Sequence, residues 1–187
     1  VEVPLPGPGN RQNALAAWAV CRCLGVSAQD FSQALRSLTP FHMRSELLSI
    51  GSLTVLSDCY NASPASMQHA LATLADLDPS GTRRRVFVCG EMAELGGQSA
   101  AFHSELGCVI GTSGVDLLLT VGPLAALCAE TAAKATDNCL KSVCFADTII
   151  ACERITEFIE DNDLVLVKGS RTAQLEKVIT ILQKHFE

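Results

Sequence analysis

The sequence contains few aromatic residues, few charged residues and no long apolar run, and each shortage excludes a class of protein. Only 5% of its residues are aromatic, too few for a platform on which single-stranded nucleic acid stacks. Acidic residues outnumber basic ones by 20 to 14, so an anionic polymer or membrane surface is a poor partner. The longest uncharged apolar stretch, residues 117–129, is too short to span a bilayer. We therefore expect neither nucleic acid nor membrane as partners.

The nine cysteines lack the spacing of a metal site or a disulfide framework. No CxxC motif occurs, and most of the cysteines lie among Val, Leu, Ala and Ile. We interpret them as small buried residues of a cytoplasmic protein in a reducing compartment, with a metal or disulfide framework as the alternative. The first nine residues have neither the basic end nor the apolar run of a signal peptide.

Apolar residues make up 48% of the 187, enough to bury a sizeable core, and their pattern changes once along the chain. Residues 1–40 predict two helices without a strand, too small to bury their apolar faces alone. Because the chain opens on Val1 within this pattern, we expect a fragment, with residues 1–40 as the tail of an upstream domain. Residues 41–187 form the second predicted domain, with the boundary at residues 41–45.

Strands and helices alternate through the second domain. Two short strands around Gly51-Ser52 predict a hairpin. Apolar strands then alternate with amphipathic helices, which is typical of a mostly parallel sheet covered on both faces. The predicted strands are residues 46–50, 53–58, 85–89, 115–121, 142–145 and 163–167. The predicted helices are residues 64–77, 98–112, 123–134, 147–160 and 171–185. The fold class is therefore α/β, a Rossmann-like three-layer domain with one antiparallel hairpin arm.

Polar residues and glycines gather after the strands, at the edge where open parallel sheets bind ligands. Asp58 follows an apolar strand, and its carboxylate can accept hydrogen bonds from a ribose diol or simply close a turn. Tyr60 and Asn61 lead into a helix whose N-terminus favours anions, although capping by Ser63 explains part of this pattern. The turn Lys168-Gly169-Ser170-Arg171 offers two cations and a hydroxyl, and the alternative is a solvated basic turn.

Other candidate groups have weaker patterns. Glu91 and Glu94 could form a metal or acid–base pair, or belong to a solvated loop. His103 could be functional or simply lie on a helix face, while the remaining histidines show no partner pattern. No phosphate loop of the form GxxxxGK[ST] and no GxGxxG motif occurs, so the chain holds no nucleotide by these motifs.

Four segments, in this order, resemble the C-terminal part of the Mur ligase family. They are GPGNRQNALAA at residues 7–17, DCYNASPASM at 58–67, GEMAELG at 90–96 and VKGSR at 167–171 with Leu175-Glu176. The resemblance is strongest to the branch that joins D-alanyl-D-alanine to UDP-N-acetylmuramoyl tripeptide in peptidoglycan synthesis. The sequence departs from the family pattern at Gly9, where the family has His, and at Ser63, where it has Asn.

The resemblance implies an ATP-dependent ligase, in which a substrate carboxylate is phosphorylated and the dipeptide amine attacks the acyl phosphate. Asn10 and Asn13 would lie near adenine, Arg44 would reach the nucleotide and Asp58 would hold the ribose. The implied substrate-binding residues are Tyr60, Asn61, Ser63, Lys168, Ser170 and Arg171. The phosphate loop, the catalytic groups and the main Mg²⁺ ligands would lie outside this chain, so we expect no catalytic residue here and no turnover by the chain alone. We also expect a monomer.

Two other functions fit the same pattern. The chain could be a non-catalytic α/β module that binds a small ligand or a partner. It could also be the corresponding domain of a sister Mur or folate amide ligase, against which the Tyr60-Asn61 segment argues.

Overall fold

Six strands form one mixed sheet in the computed structural model, which describes residues 2–136 and 139–187. The strands are β1 (Glu46–Ile50), β2 (Leu53–Ser57), β3 (Arg85–Gly90), β4 (Leu117–Val121), β5 (Lys141–Phe145) and β6 (Leu164–Lys168). The helices are α1 (Pro8–Cys23), α2 (Ala28–Arg36), α3 (Pro64–Leu77), α4 (Ser99–Gly111), α5 (Pro123–Ala135), α6 (Thr148–Arg154) and α7 (Glu176–Phe186).

The strand order is β1-β2-β6-β3-β4-β5, and only β1 runs antiparallel to its neighbour. The β1–β2 hairpin turns at Gly51, whose positive φ of 53° suits glycine, and its register pairs Glu46 with Ser57. The last strand, β6, lies between β2 and β3, so the chain returns to the centre of the sheet. The predicted parallel sheet with one antiparallel arm is confirmed.

Side chains that alternate along the strands fill a core on each face of the sheet. Val86 and Val88 pack in one cluster with residues of α6 and α7. Phe87 and Cys89 point to the opposite face, where they join residues of α3, α4 and α5. This period of two explains why the strands read as continuous apolar runs, since both faces are covered by helices.

Helix starts follow the capping residues in the sequence, whereas two later helices differ from the prediction. Ser63 caps α3 in a reciprocal pair with Ser66, and Pro64 occupies the first turn. The helix predicted over residues 147–160 ends as an α-helix at Arg154 and continues as a 3-10 turn. The helix predicted from Arg171 starts at Glu176, because a 3-10 turn and the left-handed Gln174 (φ 50°) precede it.

The two N-terminal helices cover little of their own apolar surface. α2 buries Phe31 and Leu35, and Trp18 of α1 lies 5.0 Å from the Phe31 ring. Leu15 and Leu24 are nevertheless 68% and 76% exposed. Among the described residues no helix is both long and apolar enough to cross a membrane.

The interpretation of the cysteines as buried packing residues holds for only part of the set. Three of the nine are buried, namely Cys59, Cys89 and Cys128. Four are exposed, on helix surfaces, in a loop and on the edge strand, and for these the interpretation is wrong: Cys23, Cys108, Cys139 and Cys144. Apolar neighbours in the sequence do not bury a residue that lies at the edge of a sheet or on the outer face of a helix.

Candidate functional site

A cleft of about 450 Å³ opens at the carboxyl edge of β2 and β6, between the first turn of α1, the segment 40–45 and α3. It brings together eight of the ten predicted site residues. They are Asn10, Asn13, Arg44, Asp58, Tyr60, Asn61, Ser63 and Lys168. Its position matches the expectation that ligands of an open parallel sheet bind beyond the strand ends.

Lys168 is the most buried cation of the cleft and is 2% exposed. Its ammonium donates to the Asp58 carboxylate (Nζ–Oδ2 2.6 Å), to the Asp58 carbonyl (3.3 Å) and to the Asn61 carbonyl (3.0 Å). An ammonium has three donors, so the chain itself accepts all of them. The lysine therefore fixes the end of β2 and the loop that follows it.

Asp58 keeps acceptor capacity although both of its oxygens are engaged. Oδ1 accepts the backbone N–H of Ser45 at 2.9 Å, and Oδ2 accepts from Lys168. A carboxylate has about four lone-pair sites, so two remain for a ligand hydroxyl. The Asp58 side chain is 17% exposed, which leaves it partly accessible from the cleft. The turn and ligand interpretations of this residue are thus compatible.

Arg44 stands on a segment with two left-handed residues, Met43 (φ 61°) and Ser45 (φ 47°). Such conformations are uncommon for residues other than glycine and need support from the surroundings. The Met43 N–H donates to Glu46 (3.0 Å), and the Met43 carbonyl accepts from the Tyr60 N–H (3.1 Å). The Arg44 guanidinium lies 4.2 Å from the Tyr60 ring centroid, so the tyrosine orients a cation at the cleft.

The loop before α3 combines fixed and free groups. The Asn61 side-chain oxygen accepts the next backbone N–H, that of Ala62, at 2.8 Å, and Ser63 is used as the helix cap. Asn61 is exposed, and Tyr60 is 45% exposed. The N-terminus of α3 adds a partial positive charge that favours an anionic ligand.

The opposite wall of the cleft is formed where α1 and α3 face each other. Asn10 donates its amide N–H to the Pro6 carbonyl (2.7 Å), which leaves its side-chain oxygen as an acceptor. Ser66, His69 and Thr73 line the cleft at helical spacing. His69 was not predicted, although this spacing on the helix after Ser63 was a signal for it. A Cβ atom at Gly9 would lie 3.0 Å from the His69 Nδ1 atom.

Ser170 and Arg171 do not line the cleft. Ser170 is 1% exposed and its hydroxyl pairs with Thr172 at 2.8 Å. The Arg171 guanidinium pairs with Glu176 (3.0 Å) and contacts the Met43 sulfur (3.5 Å), next to the segment that carries Arg44. Arg171 therefore lies at the rim of the cleft, and its side chain is 55% exposed.

Glu91 and His103, for which sequence alternatives were open, both support the backbone of the site edge. Glu91 accepts the Leu124 N–H through its carboxylate and the Ser170 N–H through its carbonyl, each at 2.8 Å. The buried His103 accepts the Met92 N–H at Nε2 (2.9 Å), so the other ring nitrogen donates to the Ser99 carbonyl. No group of three or more metal-ligating side chains clusters within residues 2–136 and 139–187.

Cys59, which follows Asp58, is a neutral thiol at physiological pH. Burial raises its pKa to about 11, and the nearby Glu176 carboxylate acts in the same direction. Since the thiolate is the nucleophilic form, this cysteine is a packing residue beneath the cleft.

The family model described as "Mur ligase, glutamate ligase domain" matches residues 43–171. The UDP-N-acetylmuramoyl-tripeptide--D-alanyl-D-alanine ligase of Bacillus subtilis is 34% identical over 178 residues, which cover 95% of this chain and 38% of that protein. The protein of the same name from Escherichia coli is 33% identical, covering 99% of this chain and 39% of that protein. The chain thus spans less than half the length of these relatives.

Solved structures agree over nearly the whole chain. A MurF structure of Acinetobacter baumannii superposes with a TM-score of 0.86 at 28% identity, covering 98% of this chain and 39% of that one. The MurF ligase of Thermotoga maritima, solved in complex with ADP, gives a TM-score of 0.76 at 25% identity, covering 97% and 39%.

Proposed function

Since the chain belongs to the Mur ligase family, we propose that it is the part of an ATP-dependent amide ligase that closes over the nucleotide and binds the incoming dipeptide. The complete protein would add D-alanyl-D-alanine to UDP-N-acetylmuramoyl tripeptide during peptidoglycan synthesis, as the names of its relatives say of them. The observation that carries this proposal is the Lys168–Asp58 pair, which presents a carboxylate beside Arg44 in one cleft.

On the nucleotide side, each residue has a chemical role that its geometry permits. The remaining lone pairs of Asp58 accept from the ribose hydroxyls, and Arg44 donates to the phosphates. The side-chain oxygen of Asn10 and the amide of Asn13 contact the edge of the base. ATP supplies the phosphoryl group that activates the tripeptide carboxylate, and closing the cleft keeps water from the acyl phosphate.

On the dipeptide side, Tyr60, Asn61 and the α3 N-terminus that Ser63 caps form the surface that meets the amine substrate. Lys168 supports this surface from below, since its donors are already used by the chain. Arg171, at the rim, offers a guanidinium for the dipeptide carboxylate, and Ser170 holds the turn that carries it.

The proposal also assigns each part of the chain to a domain of the complete protein. Residues 1–40 are the last helices of a central ATP-binding domain, and residues 41–187 are the closing domain. The phosphate loop, the catalytic groups and the Mg²⁺ ligands belong to the larger part of the protein. We place this protein in the cytoplasm, where ATP and the nucleotide-linked tripeptide are found, and propose that it acts as a monomer.

The test is phosphate release by the complete protein with ATP, the tripeptide substrate and D-alanyl-D-alanine. We expect Asp58→Ala to raise the KM for ATP about tenfold or more, because it removes a charge-assisted hydrogen bond to the ligand and also leaves the buried Lys168 without its carboxylate. The exposed Asp161, which accepts from Ser52 far from the cleft, is the matched control, and Asp161→Ala should change neither KM nor kcat. A complete protein that releases phosphate equally well without the dipeptide would refute the ligase assignment.

A further inference from the structure

His69 is the one imidazole that lines the cleft in the described part of the chain, and the mechanism above does not use it. It projects from α3 toward the first turn of α1. Its backbone carbonyl accepts from Thr73 (2.8 Å), whereas its ring has no hydrogen-bond partner among residues 2–136 and 139–187. A half-buried polar ring without a partner at the wall of a cleft is free to contact a ligand.

Gly9 is the reason that the ring can lie there. The nearest side-chain atoms to a Cβ built at position 9 belong to the His69 ring and its Cβ, at 3.0, 3.5 and 3.7 Å. A Cβ at position 9 would already crowd the imidazole, and a branched side chain there would displace it further. Asn10, the residue after Gly9, lines the same cleft as His69, so an imidazole and an amide that can read a base edge border one space.

The other flat side chains of the cleft are less suited to hold a base. The Tyr60 ring already carries the Arg44 guanidinium at 4.2 Å. Phe41 belongs to the segment between the helices and the sheet and is 78% exposed. An imidazole beside amides offers what a purine needs, a planar surface for the ring and acceptors and donors for its edge.

We propose that His69 is the base-contacting residue of this cleft, with its imidazole packed on the purine of the bound nucleotide while Asn10 and Asn13 meet the purine edge. This inference rests on the proposed nucleotide function. Asp58 and Arg44 would then hold the ribose and phosphates of the same ligand.

The experiment is calorimetric titration of the complete protein with ADP and, separately, with inorganic pyrophosphate. His69→Ala should weaken ADP binding about tenfold, within the range for a base stacked on one ring, and should leave pyrophosphate binding unchanged. His69→Phe, which keeps a planar ring, should retain most of the ADP affinity. His185→Ala, which removes an exposed imidazole on α7, is the matched control.

A second variant tests the same contact from the other side. Gly9 has no positive φ, so its backbone accepts Val, but the new side chain would displace the imidazole. Gly9→Val should weaken ADP binding as much as His69→Ala does. The double variant should bind ADP no more weakly than either single variant.

The outcomes separate this inference from the function on which it rests. Loss of ADP binding with Asp58→Ala but not with His69→Ala would overturn this inference alone. So would a His69→Ala variant that loses affinity for ADP and for pyrophosphate equally, or ADP binding that depends on Phe41 and not on His69. Absence of ADP binding to the complete protein would overturn both. ADP binding that depends on His69, in a protein that joins no dipeptide, would overturn only the proposed ligase reaction.

Discussion

Replacing Lys168 by Met tests whether the cleft depends on a buried cation. The methionine keeps the length and the apolar stem of the lysine, so the packing of β6 between β2 and β3 is retained. The substitution removes three hydrogen bonds, one of them to the Asp58 carboxylate at 2.6 Å. Asp58 then remains as a carboxylate without its cation.

The expected cost follows from the burial of the two partners. Removing one member of a buried ion pair costs about 3–5 kcal/mol. Lys168 is 2% exposed but the Asp58 side chain is 17% exposed and borders the cleft, so water can replace part of the lost interaction. We therefore expect a loss of about 3 kcal/mol in the free energy of unfolding, at the lower end of that range.

Urea unfolding of the chain, followed by circular dichroism, measures this difference. With a slope of about 2 kcal/mol per molar urea, the midpoint should fall by about 1.5 M. Arg154→Met is the matched control, because it removes an ion pair with Glu157 whose side chains are about half exposed. The control should lose less than about 0.5 kcal/mol. If Lys168→Met is no less stable than this control, the structural role given to Lys168 is wrong.

Three further predictions concern packing, pH and thiol chemistry. Gly107→Ala should destabilise the chain by about 2 kcal/mol, because its new Cβ would lie 2.5 Å from the Cys128 carbonyl of the facing helix. The control is Gly97→Ala, whose Cβ would meet nothing within 4 Å and which should be nearly neutral in the same urea assay. The pKa of Asp78 is lowered, chiefly because the Arg83 N–H donates to its carboxylate, so its stabilisation is present above about pH 4 and is lost as the pH falls through the folded pKa. Asp78→Asn should therefore be less stable than the parent chain at pH 7, with the difference shrinking in acid unfolding curves; a difference that grows in acid would contradict this sign. With a thiol reagent at pH 8, the four exposed cysteines should react quickly, namely Cys23, Cys108, Cys139 and Cys144. The three buried cysteines should react only on unfolding, namely Cys59, Cys89 and Cys128. Rapid reaction of all nine would show that the core is open.

Local signals in the sequence predicted most of the fold. Apolar strands, Ser63 with Pro64 and the hairpin glycine are each decided by neighbouring residues, and these features are confirmed. The start of α7 was predicted less well, because the left-handed Gln174 interrupts a sequence whose apolar spacing is typical of a helix. The insertion of β6 between β2 and β3 pairs residues that are far apart in the sequence, such as Thr54 with Leu164 and Arg85 with Leu164, and no local pattern encodes it.

The site shows the same limit. Position after a strand was enough to select Asp58 and Lys168, yet not to show that they bind each other across 110 residues. His69 was overlooked although its helical spacing after Ser63 was a signal, and its approach to Gly9 on another helix leaves no mark in the sequence around it. Glu91 and His103 were candidate functional residues in the sequence, but the structure pairs both side chains with backbone N–H groups. Such partners cannot be recognised from the residue types.

The antiparallel direction of β1 determines where the preceding segment meets the sheet. Glu46, the first residue of β1, pairs with Ser57, the last residue of β2, so the chain enters beside the strand ends that carry Asp58. A β1 that ran parallel would start at the opposite edge, roughly 15 Å away for a strand of this length. Arg44 could not then reach the cleft. One short hairpin therefore reverses the chain, and it makes the junction between the predicted domains part of the cleft wall.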